Sequence, residues 1–303
     1  MKVLVTGGSG FVGREIVRQL VAAGHAVRVL ARGTKPAVNG VETVTGSVLR
    51  PESLQAACAG CDAVIHLVGI ISEVRDQTFE RVHTEGTRNL IAAARSAGIQ
   101  RFVQMSALGT RPEAASRYHR SKWEAEQAVR SSGLAWTILR PSLVYGPGDG
   151  FVNLFVHMSR WSPVLPVIGS GQSLVQPVAV ADVARCFVGA LSEPGSVGQT
   201  FDVCGPDRLS FTAVLDEILA ATGRRRMKLH LPLPLARFQA AVLEFVFPKL
   251  LGQAPPLNRE QIVMLREDNV GNPRPAAELF HFEPAPFRPT LQAWLRPSPP
   301  VAG

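Results

Sequence analysis

Over roughly the first half of the chain, short apolar runs alternate with amphipathic stretches. Residues 2–6, 26–31, 41–44, 63–68, 101–105 and 135–139 are mostly rich in Val, Ile and Leu and bounded by turn residues, which predicts buried strands. Residues 11–23, 51–57, 78–97 and 119–131 lie between them and read as helices. Near-regular alternation of strand and helix implies right-handed crossovers. The predicted fold class is therefore α/β, a doubly wound parallel sheet covered on both faces.

Beyond Pro147 the order loosens, with Pro163, Pro166, Pro177, Pro194 and Pro206 separating shorter pieces. One strand-to-helix unit is legible at 174–191 and is expected to return to the first domain. Residues 210–222 and 258–267 read as capped helices, and Asn258 with Gln261 has capping-box spacing. The expected organisation is a larger domain over 1–147, a smaller C-terminal lobe over 148–296 and a frayed, Pro-rich tail over 297–303. There is no internal repeat.

Composition narrows the class. The chain has 303 residues, 46% hydrophobic and 18% charged, with 27 Gly and 23 Pro too scattered for a collagen or low-complexity sequence. Lys and Arg number 32 against 24 acidic residues, a surplus of +8. Most of these cations are isolated; the densest groups are Arg224, Arg225 and Arg226 with Lys228, and residues 117–122. Such dispersion argues against nucleic acid as a partner. Four cysteines are too few for a disulfide framework and fit a reducing, cytoplasmic compartment. Cys58 and Cys61 have CxxC spacing but no second pair accompanies them, so they read as small buried residues between a helix and a strand. The histidines are dispersed and predict no metal site. The first residues run directly into a strand, so no cleavable signal is expected, and no apolar window is long enough for a spanning helix.

The first candidate chemistry follows the first strand. Gly7, Gly10 and Gly13 stand in the run from Thr6 to Gly13, with Ser9, Phe11 and Val12 between them. Glycines at this spacing permit a tight turn, close approach of backbone to a pyrophosphate, and close helix packing, with the phosphates at a helix N-terminus. In a βαβ unit this predicts a dinucleotide. The second strand ends in Ala31 and Arg32, where a carboxylate would select NAD(H) through the ribose 2′-hydroxyl. Arg32, with Lys35 nearby, predicts a 2′-phosphate and so NADP(H) over NAD(H).

The run Thr6–Gly13, residues 62–69 around the fourth strand, the Tyr118 to Lys122 segment, residues 139–148 and the Gln176-Pro177-Val178 segment ahead of Asp182 resemble the extended or atypical branch of the short-chain dehydrogenase/reductase superfamily. Ser106 to Gly109, the early Tyr118 and residues 265–270 are most similar to bacterial proteins resembling the Rossmann-fold accessory subunit of respiratory complex I. The resemblance covers about residues 1–222. It implies an NAD(P)-binding Rossmann domain and a substrate lobe. It also implies cofactor contacts at Ser47 and Val48, at Leu67, Val68 and Gly69, at Met105, and at Pro141, Ser142, Leu143 and Val144. Tyr118 and Lys122, four apart on one helical face, are implied as the proton-transfer pair, with a neighbouring ammonium favouring the phenolate. Ser106 is the candidate for the hydroxyl that polarises a substrate oxygen. Ser47 stands where relatives often carry Asp, and His83 where they often carry Asn, so His83 is given no catalytic role. His66 reads as a packed core residue.

The expected activity is hydride transfer between NADP(H) and a hydroxyl or carbonyl of an apolar small molecule. A non-catalytic NADP(H)-binding assembly module and an epimerase or dehydratase are the alternatives. Residues 231–251 are Pro-interrupted and then apolar. They read first as a lobe helix packed into the core. The preceding basic cluster leaves open an anionic membrane surface, with the protein peripheral to a membrane's inner face, or a lipophilic substrate such as a quinone.

Overall fold

A computed structural model describes residues 1–33 and 41–295. The predicted tail over 297–303 lies outside the described residues, as does Lys35.

Seven parallel strands form the central sheet in the order β11-β6-β5-β4-β1-β2-β3. They are β1 (Lys2–Thr6), β2 (Ala26–Ala31), β3 (Glu42–Thr45), β4 (Ala63–His66), β5 (Arg101–Met105), β6 (Ala135–Pro141) and β11 (Gln199–Val203). Chain order reverses beside β1, so the crevice between the C-terminal ends of β1 and β4 is the switch point where such sheets bind ligands. Helices α1 (Phe11–Ala22) and α6 (Val180–Gly189) cover one face, where Ile16, Val17 and Leu20 meet Val183 and Phe187. On the other face lie α2 (Glu52–Cys58), α3 (Gly86–Ser96) and α4 (Arg117–Arg130), contributing Leu54, Leu90, Ile91 and Val129. The doubly wound prediction holds.

Several boundaries differ from expectation for local reasons. The fourth strand leaves its ladder after His66, although the Leu67 N–H still donates to the Thr6 carbonyl at 3.0 Å. The helix expected over 78–97 opens with a π-helical segment, Glu80–Glu85, before α3 begins. Gln199–Val203, expected in the second lobe, is the edge strand β11 of the main sheet, paired with β6. Helix α10 (Arg274–Leu279) also belongs beside it, with Ala276 and Phe280 in the same core as Phe201. Cys58 and Cys61 are buried free thiols at the end of α2, and burial pushes the Cys58 thiol up to about 12.

The second lobe has its own core. Val152 and Phe155 of α5 (Val152–Trp161) pack with Leu165 and Val167 of β8 (Val164–Ile168), with Phe211, Leu215 and Ile218 of α7 (Phe211–Ala221), and with Phe287 and Leu291 of α11 (Phe287–Leu295). Strand β13 (Met227–Leu231) pairs parallel with β8 and leads into α8 (Leu233–Val246). The capping box of Asn258 and Gln261 is formed at the start of α9 (Arg259–Met264). One expectation fails here. Helix α8 fully buries only Ala236 and Ala240, and Leu235, Phe238, Val242 and Phe245 face outward.

Candidate nucleotide-binding and active site

The glycine turn fits a dinucleotide closely. Gly7 has φ +78, and a Cβ there would stand 3.1–3.2 Å from the backbone and Cβ of Leu67 and the Val68 nitrogen. A Cβ on Gly13 would stand 2.2 Å from the Gly7 carbonyl oxygen, closer than any real contact, so α1 can seat this near β1 only with glycine at that position. The Gly10 N–H donates to the Gly7 carbonyl at 3.0 Å, which closes the turn. Ser9 and Gly10 are exposed, while Phe11 and Val12 are half-buried. The first turn of α1 carries no acidic side chain, as an anion at its N-terminus requires.

Other predicted contacts gather along the C-terminal ends of the strands. Arg32 follows β2, is exposed, and donates to Gln77 Oε1 at 3.0 Å. Ser47 and Val48 follow β3; the Ser47 hydroxyl accepts from the Leu49 N–H at 3.2 Å, and Val48 is buried. Leu67, Val68 and Gly69 follow β4, and Met105 ends β5. Pro141 ends β6, followed by Ser142 and Leu143, and Val144 opens the short strand β7 (Val144–Tyr145). Ser142 has its own partner: its hydroxyl donates to Asn269 Oδ1 at 2.5 Å, and Asn269 Nδ2 donates to the Leu108 carbonyl at 3.0 Å. Asn269 thus ties the closing segment of the chain to this rim. That tie has no signature in sequence beyond the asparagine itself.

Tyr118 and Lys122 lie on α4, one turn apart. Helix α4 is started by Ser116, whose hydroxyl accepts from the His119 N–H. Lys122 is buried, and its ammonium donates to the Met105 carbonyl at 3.2 Å and lies 3.0 Å from where a Cβ on Gly69 would stand. Tyr118 is half-buried, edge-on to Phe79, His83 and His119, and its hydroxyl makes no hydrogen bond to a described residue. The expected protonation is corrected. Burial lowers the Lys122 ammonium to about 8 and raises the Tyr118 phenol to about 12. Loss of water penalises the charged form of each, so Tyr118 is a neutral phenol at physiological pH.

His83 sits in this cluster, although sequence reasoning gave it no part. It is 1% exposed; Nε2 accepts the Ile70 N–H at 3.0 Å, so Nδ1 carries the proton and donates to Ser121 Oγ at 2.8 Å. Ser121 Oγ in turn donates to the Tyr118 carbonyl at 2.8 Å. The π-helical widening brings this ring between the loop after β4 and the first turn of α4. Burial, then the Lys122 charge, depress His83 to about 2. His66 behaves as expected of a core residue, with Nδ1 at 2.6 Å from Thr6 Oγ1 and Nε2 at 3.1 Å from Thr87 Oγ1. Ser106 is buried and donates to Thr110 Oγ1 at 3.4 Å, and Thr110 lies 3.3 Å from His119 Nδ1. No hydrogen bond joins Ser106 to Tyr118 or Lys122.

A glycine-closed turn at the switch point of a seven-stranded parallel sheet, with a Tyr and a buried Lys at its rim, defines a Rossmann-type dinucleotide-binding protein. The family model described as NAD(P)H-binding matches residues 7–194. The chain belongs to that family. It is 33% identical over 281 residues to the mitochondrial NADH dehydrogenase [ubiquinone] 1 alpha subcomplex subunit 9 of Arabidopsis thaliana, covering 88% of this chain and 70% of that protein. It is 37% identical over 198 residues to the ceramide reductase of Caulobacter vibrioides, covering 63% of this chain and 61% of that protein. Among solved structures, a short-chain dehydrogenase/reductase superfamily protein from Agrobacterium tumefaciens with bound NAD superposes with a TM-score of 0.70 at 23% identity, covering 97% of this chain and 96% of that one. That likeness establishes the shared fold.

Proposed function

We propose that this chain is an NADP(H)-dependent reductase acting on a carbonyl of an apolar small molecule. One observation carries the reading: Tyr118, part-buried and one helical turn from buried Lys122, has a hydroxyl with no hydrogen-bond partner among the described residues. Such a group is ready to donate a proton to the oxygen of a carbonyl under reduction. The nicotinamide, when bound, supplies the hydride. Lys122 keeps a positive charge near the site while its pKa of about 8 leaves it able to exchange a proton. His83, through Ser121, fixes the turn of α4 that carries Tyr118. The ceramide reductase named above supports an apolar substrate, and exposed Arg32 after β2 supports a 2′-phosphate contact.

The test is identification of the nucleotide that co-purifies, followed by single-turnover oxidation of NADPH with long-chain carbonyl compounds. Tyr118→Phe is expected to slow turnover by about 100-fold or more, with nucleotide affinity unchanged. Turnover at the wild-type rate in that variant would discard the mechanism. NADP(H) should bind more tightly than NAD(H), and Arg32→Ala should remove the difference; equal or tighter binding of NAD(H) by the wild type overturns the preference. A second reading, a module that holds the nucleotide without turnover, draws support from Ser106, whose hydroxyl is engaged by Thr110, and from the Arabidopsis complex subunit. Bound nucleotide that no carbonyl oxidises would favour it.

A further inference from the structure

Helix α8 has its polarity turned outward. Leu235, Phe238, Val242 and Phe245 are 53%, 69%, 45% and 59% exposed. At about 100° per residue they fall within an arc of about 80°, opposite the buried Ala236 and Ala240. The small alanines seat the helix against Ile168, Leu257 and Ile262 and leave its bulky face uncovered. The strand leading into α8 continues the theme, with Met227 72% and Leu229 55% exposed. Trp161, just ahead of β8, is 81% exposed.

Cations frame this surface. Residues 224–249 hold six Lys and Arg and one carboxylate, so five net positive charges of the chain's +8 fall within 26 residues. Arg224 donates to Ser159 Oγ and Arg226 to the Ser159 carbonyl, which anchors the basic cluster to the end of α5 that bears Trp161. Arg225 and Arg237 are exposed and make no side-chain hydrogen bond or ion pair to a described residue. The ammonium of Lys249 lies 4.2 Å from the centre of the Phe245 ring, at the margin of the apolar stripe. Lys228 is paired with Asp216 at 2.6 Å, and Glu244, the carboxylate within the segment, is engaged by Arg259 at 2.6 Å, so Arg225 and Arg237 are the cations left to meet a partner. An apolar stripe edged by cations is complementary to a surface that is apolar beneath and anionic on top. At fourteen residues, α8 is about 21 Å long, short of the ~30 Å hydrocarbon core, so it can lie in an interface but not cross it.

We propose that α8, with the basic segment preceding it, docks the protein peripherally on an anionic lipid surface. The docking is independent of the reaction proposed above. It is tested by flotation of the full chain with phosphatidylcholine vesicles containing or lacking phosphatidylglycerol, at low and high salt. Binding is expected only with phosphatidylglycerol and should weaken with salt. Phe238→Ser and Phe245→Ser should each reduce partitioning by about tenfold. Arg225→Ala and Arg237→Ala should each reduce it by about fivefold. Because all four side chains are exposed, the variants should keep the wild-type melting curve by circular dichroism. Absence of binding to the anionic vesicles, or binding undiminished by both phenylalanine changes, overturns the proposal. So does a lipid-free, concentration-dependent dimer in sedimentation velocity that Phe238→Ser dissolves, since the face would then belong to a second copy.

Discussion

Acid should unfold this protein through three histidines. His66, His83 and His119 are 0%, 1% and 7% exposed, and burial depresses them to about 3, 2 and 4. In the unfolded chain each titrates near 6.5. Below that pH the unfolded state binds protons that the native state refuses, so stability is full above pH 6.5 and is lost as pH falls towards the folded values. Between pH 7 and pH 5 each residue removes about 1.9 kcal/mol, or roughly 5–6 kcal/mol for the three. That is comparable with the whole stability of an ordinary domain, about 5–15 kcal/mol. Asp182, whose carboxyl is raised by burial, opposes the loss without cancelling it, because one group faces three. Urea unfolding followed by circular dichroism at pH 7 and pH 5 measures the difference. His83→Asn takes away one of the three titrating groups, so the fall between the two pH values should shrink by about a third, whatever the variant does to stability at pH 7. Equal stability at pH 7 and pH 5, or an undiminished fall in His83→Asn, would refute the reasoning.

Three further substitutions probe the frame of the site. Gly13→Ala puts a methyl 2.2 Å from the Gly7 oxygen, so the turn must open; calorimetry should show nucleotide affinity down by tenfold or more, with about 1–3 kcal/mol of stability lost. Glu126 is fully buried and receives Arg140 through two hydrogen bonds, so Glu126→Ala strands a half-buried guanidinium and should cost about 3 kcal/mol in chemical denaturation. Asn269→Ala releases Ser142 and the Leu108 carbonyl; about 1–3 kcal/mol should be lost, with faster hydrogen exchange at residues 174–176 and 268–271.

The first half of the fold was legible because its signals are local. A buried parallel strand is a short, mostly apolar run, and β1, β2 and β5 span the residues that the pattern predicts, 2–6, 26–31 and 101–105. The rest depended on distant partners. Gln199–Val203 becomes a strand because β6 offers an open edge, and it lies in the stretch that prolines divide into short pieces. Pro166 sits within β8 because that strand belongs to a two-stranded ribbon, where a missing N–H can face outward. In α8 the composition announced an apolar helix, which suggested burial. Which side met the core was decided by two alanines, the smallest apolar residues in the helix.

At the site, position was legible and protonation was not. Spacing placed Tyr118 and Lys122 on one helical face, and both lie on α4, yet spacing alone implied a phenolate stabilised by an ammonium. The protonation depends on what surrounds the pair: Met105 at the end of β5, Gly69 after β4, and Phe79 and His83 from the π-helical segment. These groups strip water from both side chains, and loss of solvation penalises the charged form of each. Burial therefore holds Tyr118 in its neutral form. The same enclosure that keeps His83 neutral makes its Nε2 an acceptor for the Ile70 N–H and its Nδ1 a donor to Ser121. Protonating His83 would break the first of these bonds, so the acid lability and the placement of Tyr118 share one structural cause.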